Sequence, residues 1–366
     1  MKEWTLQSLE LLNFKSYPHA NFDFGARINC IVGPNGAGKT NVLDAIYYLS
    51  TGKSYFQSSD APNIHHQQQQ MSIQGMYAHD GEEERIHIGL EKGQRKKIYR
   101  NDELYKRLAD HVGLIPVVMI SPSDRDLIAE GGEVRRRFID ATLSQTDPVY
   151  FDHLLQYHQA LKQRNTMLRN GMGKDNSLRE IYDHQLVEHG LEIFKRRRAF
   201  SQTFAEDVAK HYEAISNGAE AVTFAYATKI EEDHYAEQLK EALPKDLVME
   251  YTTFGIHKDD LKLSMDGRLI KRYGSQGQQK TYLIALKLAQ YHYLHQVKGF
   301  RPILLLDDIF DKLDAERVHR MIDRVNQGVF GQIFITDTHP ERAQAIAEAE
   351  GVEANIIHVE RQNQPV

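Results

Sequence analysis

The chain has 366 residues, 41% aliphatic or aromatic and 26% charged, which supports a packed core without disulfide or metal staples. One cysteine, Cys30, excludes a disulfide framework and a thiolate metal cluster. No run approaches the ~20 apolar residues of a membrane span and Met1–Leu6 has no apolar leader core, so no membrane association and a cytoplasmic setting are expected. A net charge of −6 with a pI near 6.3 excludes a uniformly basic nucleic-acid coat but leaves local basic patches open.

In chain order, short β-like runs occur at Leu6–Phe14, Ile28–Val32, Met71–Tyr77, Arg85–Leu90 and Ile115–Ile120, and Asn21–Gly25 alternates like an exposed strand. After Ile28–Val32 comes a glycine-rich loop, and then Val42, Leu43, Ile46 and Leu49 recur at helical spacing. His65–Gln70 reads as a solvated polar loop. From Asp147 the character becomes helical: Asp147-Pro148 fits an N-cap with proline at the first helical position, and Phe151, Leu154, Leu155, Leu161 and Leu168 keep the spacing. A loop at Gly171–Ser177 precedes a second long helix or helix pair carrying Leu186, Ile193, Phe200, Phe204, Val208, Tyr212 and Ile215. Strands are expected to resume near Val248–Tyr251, with Arg301–Asp308 and Ile333–Thr336 as buried strands. The organisation predicted is a strand-rich lobe built from 1–121 and 251–366, interrupted by a helical, largely strand-free lobe at 122–250.

The pattern Gly33-Pro-Asn-Gly-Ala-Gly-Lys-Thr40 satisfies G-x-x-x-x-G-K-[ST] between an apolar strand and a helix. Gly33, Gly36 and Gly38, with Pro34, Asn35 and Ala37 between them, let consecutive backbone N–H groups turn onto phosphate oxygens at a helix N-terminus, where the dipole adds to the attraction. Lys39 then pairs with β- and γ-phosphate oxygens, the Thr40 hydroxyl ligates Mg2+, and Asn41 closes the set of cofactor-binding positions.

Two downstream segments complete this site. Ile303-Leu-Leu-Leu-Asp-Asp308 reads as a Walker B strand that delivers Asp307 to the Mg2+ shell and places Asp308 to orient or deprotonate the attacking water. Paired acids after a buried strand also fit a helix N-cap; their occurrence beside Lys39 in one chain favours catalysis. Aspartate is one methylene shorter than glutamate, so slow turnover is expected. Tyr273-Gly-Ser-Gln-Gly-Gln-Gln-Lys-Thr281 introduces a helix predicted over 281–294. Ser275, Gly277 and Gln278 would form a second γ-phosphate site, unable within one head to reach the phosphate held by the first loop, so ATP is expected to be sandwiched between two copies. As a bare pattern the same residues also read as a helix cap. Phe310–Asp314 would line the seam of that dimer. His339, in Thr336-Asp-Thr-His339, offers a γ-phosphate sensor, though a histidine before Pro340 also fits a cap.

With these residues in place the chain resembles the RecF family, bacterial recombination-repair ATPases related to SMC and ABC-type heads, over nearly its whole length. The resemblance extends to Leu11–Tyr17, Thr51–Phe56, Ser121–Asp124, Leu143–Pro148, Ala160–Asn165 and His257–Leu261. It implies an α/β ABC-type ATPase head, a mixed sheet with its phosphate loop, plus an inserted mainly helical second lobe. It also implies an ATP-dependent homodimer with slow, DNA-stimulated hydrolysis that binds DNA at single-strand gaps or stalled forks. The implied partners are RecR and RecO, and through them RecA, which loads onto single strands coated by SSB. The sequence departs from the family pattern at Gly255-Ile256, where Gly-Pro is usual, and at Asp311-Lys312 in the seam loop. No glutamine stands out as the Q-loop residue linking Mg2+ to the second lobe.

Three basic clusters are candidate phosphate contacts: Lys92–Arg100, Arg135-Arg136-Arg137 and Lys195-Arg196-Arg197-Arg198. The last spans one helical turn, so its four charges spread around the axis. With no aromatic platform or helix-turn-helix signature, backbone contact by shape is the expected mode of DNA recognition. The alternatives are a transporter ATPase subunit, set against by the long helical insertion, and a nuclease-associated head, for which no acidic catalytic domain remains. An SMC-like architecture would need long heptad arms, and no stretch sustains four heptads.

Overall fold

The computed structural model describes residues 3–171, 176–216, 220–308, 330–339, 341 and 354–361. Contacts divide the chain into two compact units, Met1–Asp124 with Gln290–Val366, and Arg125–Ala289.

The first unit holds two sheets. β1 (Trp4–Phe14), β2 (Tyr17–Asp23), β4 (Gln70–His79), β5 (Glu82–Glu91), β6 (Lys97–Arg100) and β7 (Glu103–Leu104) form a six-stranded antiparallel sheet in the order β2-β1-β4-β5-β6-β7. These strands alternate because one face is buried: on β5, Ile86, Ile88 and Leu90 enter the core while Arg85, His87 and Gly89 stay partly exposed. The other sheet contains β3 (Ile28–Val32), β8 (Val117–Ile120), β12 (Ile303–Asp307), β13 (Ile333–Asp337) and β14 (Ala354–His358), five parallel strands in the order β14-β3-β13-β12-β8. β3, β8, β12 and β13 are buried along their whole lengths, which is why they read as unbroken apolar runs. α1 (Lys39–Thr51) packs against strands of both sheets with Val42, Leu43, Ile46 and Leu49 buried.

The second unit is mainly helical: α2 (Asp126–Ala129), α3 (Gly132–Thr146), α4 (Pro148–Arg169), α5 (Asn176–Ser216), α6 (Tyr235–Glu241), α7 (Leu243–Met249) and α8 (Ile270–Tyr273), with the boundary at Ala289 falling inside α9 (Gln276–Lys298). Asp147 caps α4 by accepting from Tyr150 N–H at 2.9 Å, with Pro148 at the first helical position. The predicted helix or pair after it is one helix, α5, of 41 residues.

Three expectations change here. The unit is not strand-free: β9 (Val222–Ala227), β10 (Asp260–Met265) and β11 (Arg268–Leu269) form an antiparallel sheet in the order β11-β10-β9, turned between β10 and β11 at Asp266-Gly267, both with positive φ. Val248–Tyr251 is not a strand either. Pro244 opens α7, Glu250 ends it in the left-handed region, and Val248 stays 81% exposed, so the apolar triplet reflects no buried strand. Residues 251–289 also group with this unit, where the sequence pattern closes the lobe at 250. The cause is β-pairing: β10 runs along β9, and Tyr282 donates to Thr223 O at 2.6 Å.

The buried Arg164 is paired with two carboxylates and a hydroxyl. Arg164 donates to Asp183 at 2.6 Å, to Asp246 at 2.7 Å and to Thr252 at 2.9 Å. Among the described residues no helix is long and apolar enough to cross a membrane.

Candidate functional site

Parallel pairing aligns the carboxyl ends of four strands. Leu306 lies beside Ile120 and Ile335, Asp307 beside Thr336, and Asp337 beside Val32. Gly33, Ser121, Asp307 and Thr336 therefore emerge at one edge of the parallel sheet, where open α/β sheets hold ligands.

The glycine-rich loop is shaped by its glycines. Gly36 and Gly38 have φ of 81° and 102°, a region L side chains rarely adopt. Gly38 is constrained a second time, because a Cβ there would lie 2.7 Å from Tyr17 Oη and 2.9 Å from Ser16 Oγ. A Cβ on Gly33 would lie 2.1 Å from Val359 O. Gly38 begins α1 with no side-chain cap, and an uncapped helix N-terminus suits an anion. Lys39 Nζ donates to Gly33 O at 2.7 Å and Pro34 O at 3.1 Å, which folds the ammonium under the loop. Ala37 N–H returns to Pro34 O at 3.2 Å, Asn35 O accepts from Arg361 at 3.0 Å, and Asn41 donates to Ser16 Oγ at 2.8 Å.

Asp307 collects three hydroxyl donors: Thr40 at 2.8 Å, Thr336 at 3.0 Å and Ser121 at 3.3 Å. Burial pushes its carboxyl above the ordinary aspartate range, and these donors offset the shift only in part. One carboxylate among hydroxyl oxygens suits a hard divalent cation that keeps phosphate and water ligands, as Mg2+ does. Asp308 follows with a φ of 46°, strained for a non-glycine residue, and its N–H donates to Thr336 Oγ1 at 2.9 Å. His339 is carried to the same edge by β13; its N–H donates to Asp337 Oδ1 at 2.8 Å while its ring meets Thr338 Oγ1 at 2.8 Å. Phe310–Asp314 lies outside the described residues.

Ser121 is the residue that sequence reasoning missed. Its segment reads only as a junction, because the contact with Asp307 comes from β8 pairing beside β12, for which a local motif gives no signal. Asp124 Oδ2 accepts from Ser121 N–H at 2.8 Å, and Tyr55 donates to the same carboxylate, so the turn after β8 is anchored.

Ser275, Gly277 and Gln278 belong to the other unit. Ser275 Oγ accepts from Gln278 N–H at 3.2 Å, and Gln278 Oε1 accepts from Ser275 N–H at 2.7 Å, a reciprocal capping box at the start of α9. The capping reading is thus realised, and it is compatible with phosphate binding because the Ser275 hydroxyl keeps its own proton to donate.

The model of the RecF/RecN/SMC N-terminal domain matches residues 5–360. The DNA replication and repair protein RecF of Flavobacterium johnsoniae is 46% identical over 347 residues, covering 94% of this chain and 97% of that protein. The chain belongs to the RecF family. The RecF of Parabacteroides distasonis is 43% identical over 356 residues, 97% of each chain. Among solved structures, the recombination mediator protein RecF-ATPrS of the RecFOR pathway superposes with a TM-score of 0.85 at 29% identity, covering 98% of both chains. An SMC head bound to the C-winged helix domain of ScpA shares the fold, with a TM-score of 0.56 at 16% identity. The fold is accordingly the mixed α/β ABC-type ATPase head shared by RecF and SMC proteins.

For this RecF-family chain the expected DNA contacts divide sharply. All seven cations of the two clusters in the helical unit have internal partners. Arg135 makes a bidentate pair with Asp260 at 2.7 and 2.9 Å, Arg136 donates to Asp259 O at 2.5 Å, and Arg137 meets Glu133 at 2.5 Å. Lys195 and Arg198 share Glu232 at 3.3 and 2.9 Å, and Arg196 meets Asp147 at 2.9 Å. Arg197 is only 1% exposed and is committed to Asp140 at 2.7 Å, so no phosphate can reach it. In the remaining cluster Lys96 pairs with Asp60 and Arg100 with Glu84, whereas Lys92, Arg95 and Lys97 are exposed and make no ion pair among the described residues.

Proposed function

We propose that this chain is an ATP-dependent DNA-binding protein of recombinational repair and replication maintenance. The observation that carries the reading is the joining of Lys39, Thr40 and Asp307 at one sheet edge in a chain of the RecF family. Two copies close on ATP: the loop Gly33–Thr40 of one holds the phosphates, and Ser275 of the second donates its hydroxyl to the γ-phosphate. Lys39 exchanges the Gly33 and Pro34 carbonyls for phosphate oxygens. Thr40 and Asp307 would hold Mg2+, which supplies charge neutralisation between the β- and γ-phosphates. Asp308 orients or deprotonates the attacking water, and His339 senses the γ-phosphate. Loss of that phosphate removes the ligand shared by the two copies, so hydrolysis opens the dimer.

The same proposal includes slow, DNA-stimulated hydrolysis, action at single-strand gaps or stalled forks, and work with RecO and RecR that helps RecA load onto SSB-coated strands. DNA contact is assigned first to Lys92, Arg95 and Lys97, whose charges need not be withdrawn from internal partners.

Sedimentation with ATP should show a dimer for the wild type and Asp308→Asn, and a monomer for Lys39→Ala and Ser275→Arg. A monomer in every case, or dimers in every case, would refute the sandwich. Binding to duplex, gapped and single-stranded DNA with and without ATP then tests the role; equal binding regardless of nucleotide would remove the switch.

A further inference from the structure

The loop that carries Ser275 is held by a carboxylate from outside its own helix. Gln278 Nε2 donates to Glu220 Oε1 at 2.7 Å, and Tyr212 on α5 donates its hydroxyl to Glu220 Oε2 at 3.1 Å. The other end of the same amide, Gln278 Oε1, accepts from Ser275 N–H at 2.7 Å. An amide set between an obligate acceptor and an obligate donor has one orientation that satisfies both, nitrogen toward the carboxylate and oxygen toward the N–H. Turned over, it would face oxygen against oxygen at one end and N–H against N–H at the other. Glu220 thereby fixes which way Gln278 faces. That amide oxygen in turn holds the Ser275 backbone N–H, and Ser275 Oγ accepts from the Gln278 backbone N–H at 3.2 Å, which leaves its one proton to donate elsewhere.

The geometry points to Glu220 as a positioning residue for the second half of the ATP site: through Gln278 it orients the Ser275 hydroxyl that one copy presents to the γ-phosphate held by another. This rests on the two-copy sandwich proposed above. A carboxylate facing a γ-phosphate directly would repel it, but both Glu220 oxygens are engaged by donors and the Gln278 amide stands between Glu220 and Ser275. Because Tyr212 lies in the last turns of α5, the same carboxylate ties the 41-residue helix to the Ser275–Gln278 turn.

The test uses the full-length chain and a non-hydrolysable ATP analogue, with sedimentation reporting dimerisation and a fluorescent nucleotide reporting binding by the dilute monomer. Glu220→Ala should weaken nucleotide-driven dimerisation by about tenfold, the effect of removing a hydrogen bond to a charged group, while leaving monomer nucleotide affinity unchanged. Glu220→Gln keeps an acceptor for Gln278 Nε2 and should stay within about twofold of wild type. Combining Glu220→Ala with Gln278→Ala should be no worse than Gln278→Ala alone, because both act along one chain of bonds. Wild-type dimerisation in Glu220→Ala beside a monomeric Ser275→Arg would overturn the role of Glu220, as would multiplied losses in the double variant or a Glu220→Gln no better than Glu220→Ala. Where Glu220→Ala also lowers the melting temperature, the last two comparisons still decide. A dimeric Ser275→Arg instead brings down the sandwich itself, and the positioning role falls with it.

Discussion

Asp307 and Lys39 carry opposite charges at one sheet edge, and the protein satisfies each before any ligand arrives: hydroxyls surround the carboxylate and loop carbonyls hold the ammonium. Lys39→Ala should therefore abolish ATP binding with little change in melting temperature, since the bonds removed are to loop carbonyls that water can satisfy. Ser121→Ala should raise the Mg2+ concentration needed for half-maximal ATPase by severalfold while ATP affinity holds, because Asp307 loses a donor that holds it; an unchanged Mg2+ requirement would show that this bond does not position Asp307. Two buried histidines set a pH limit. Desolvation lowers His111 and His257 to about 4 from the ordinary 6.5. Burial holds His257 neutral, helped by the nearby charges of Lys258 and Arg136, against the Thr252 carbonyl, 3.0 Å from Nε2, which favours the protonated ring. Below pH 6.5 the unfolded chain binds protons that the fold refuses, so stability is complete above about 6.5 and falls as pH drops toward 4, by on the order of 3 kcal/mol per histidine. The melting temperature should fall between pH 7 and pH 5, less steeply in His257→Gln; parallel profiles would show that His257 is not responsible.

Among the secondary-structure elements, the readable segments are those whose burial matches a simple period. β3, β12 and β13 are covered on both faces and announce themselves as apolar runs, and α4 is announced by Asp147-Pro148. Asp147→Ala should cost about 1 kcal/mol for the cap, and somewhat more because Asp147 also receives Arg196. Chemical denaturation reads that cost, and no change would mean that Pro148 alone sets the helix start. β9 escapes a local reading because it is a short strand paired only with β10, whose residues lie 33 or more positions later in the register from Asp260↔Ala227 to Met265↔Val222. α7 misleads in the opposite sense, presenting Val248, Met249 and Tyr251 as if for a sheet while the structure leaves them exposed. Such errors follow from tertiary pairing, which a local window does not contain.

For the molecule as a whole, charge is the informative quantity. Replacing Lys92, Arg95 and Lys97 by alanine should weaken DNA binding in a salt-dependent way, lowering the log–log slope by roughly one unit for each phosphate no longer neutralised. Arg135→Ala should act mainly on stability, through Asp260; a larger effect on the salt slope than that triple variant would reverse the assignment. The ATPase family is legible in the chain alone, because the phosphate loop and the acid-tipped Walker B strand are local patterns whose residue types suit phosphate and cation binding. Which cations remain available is settled only by folding, since an arginine's partner depends on which carboxylate the fold brings within reach. The same holds for the bonds of Ser121 and Glu220, placed by strand pairing and by a helix end rather than by any spacing along the chain.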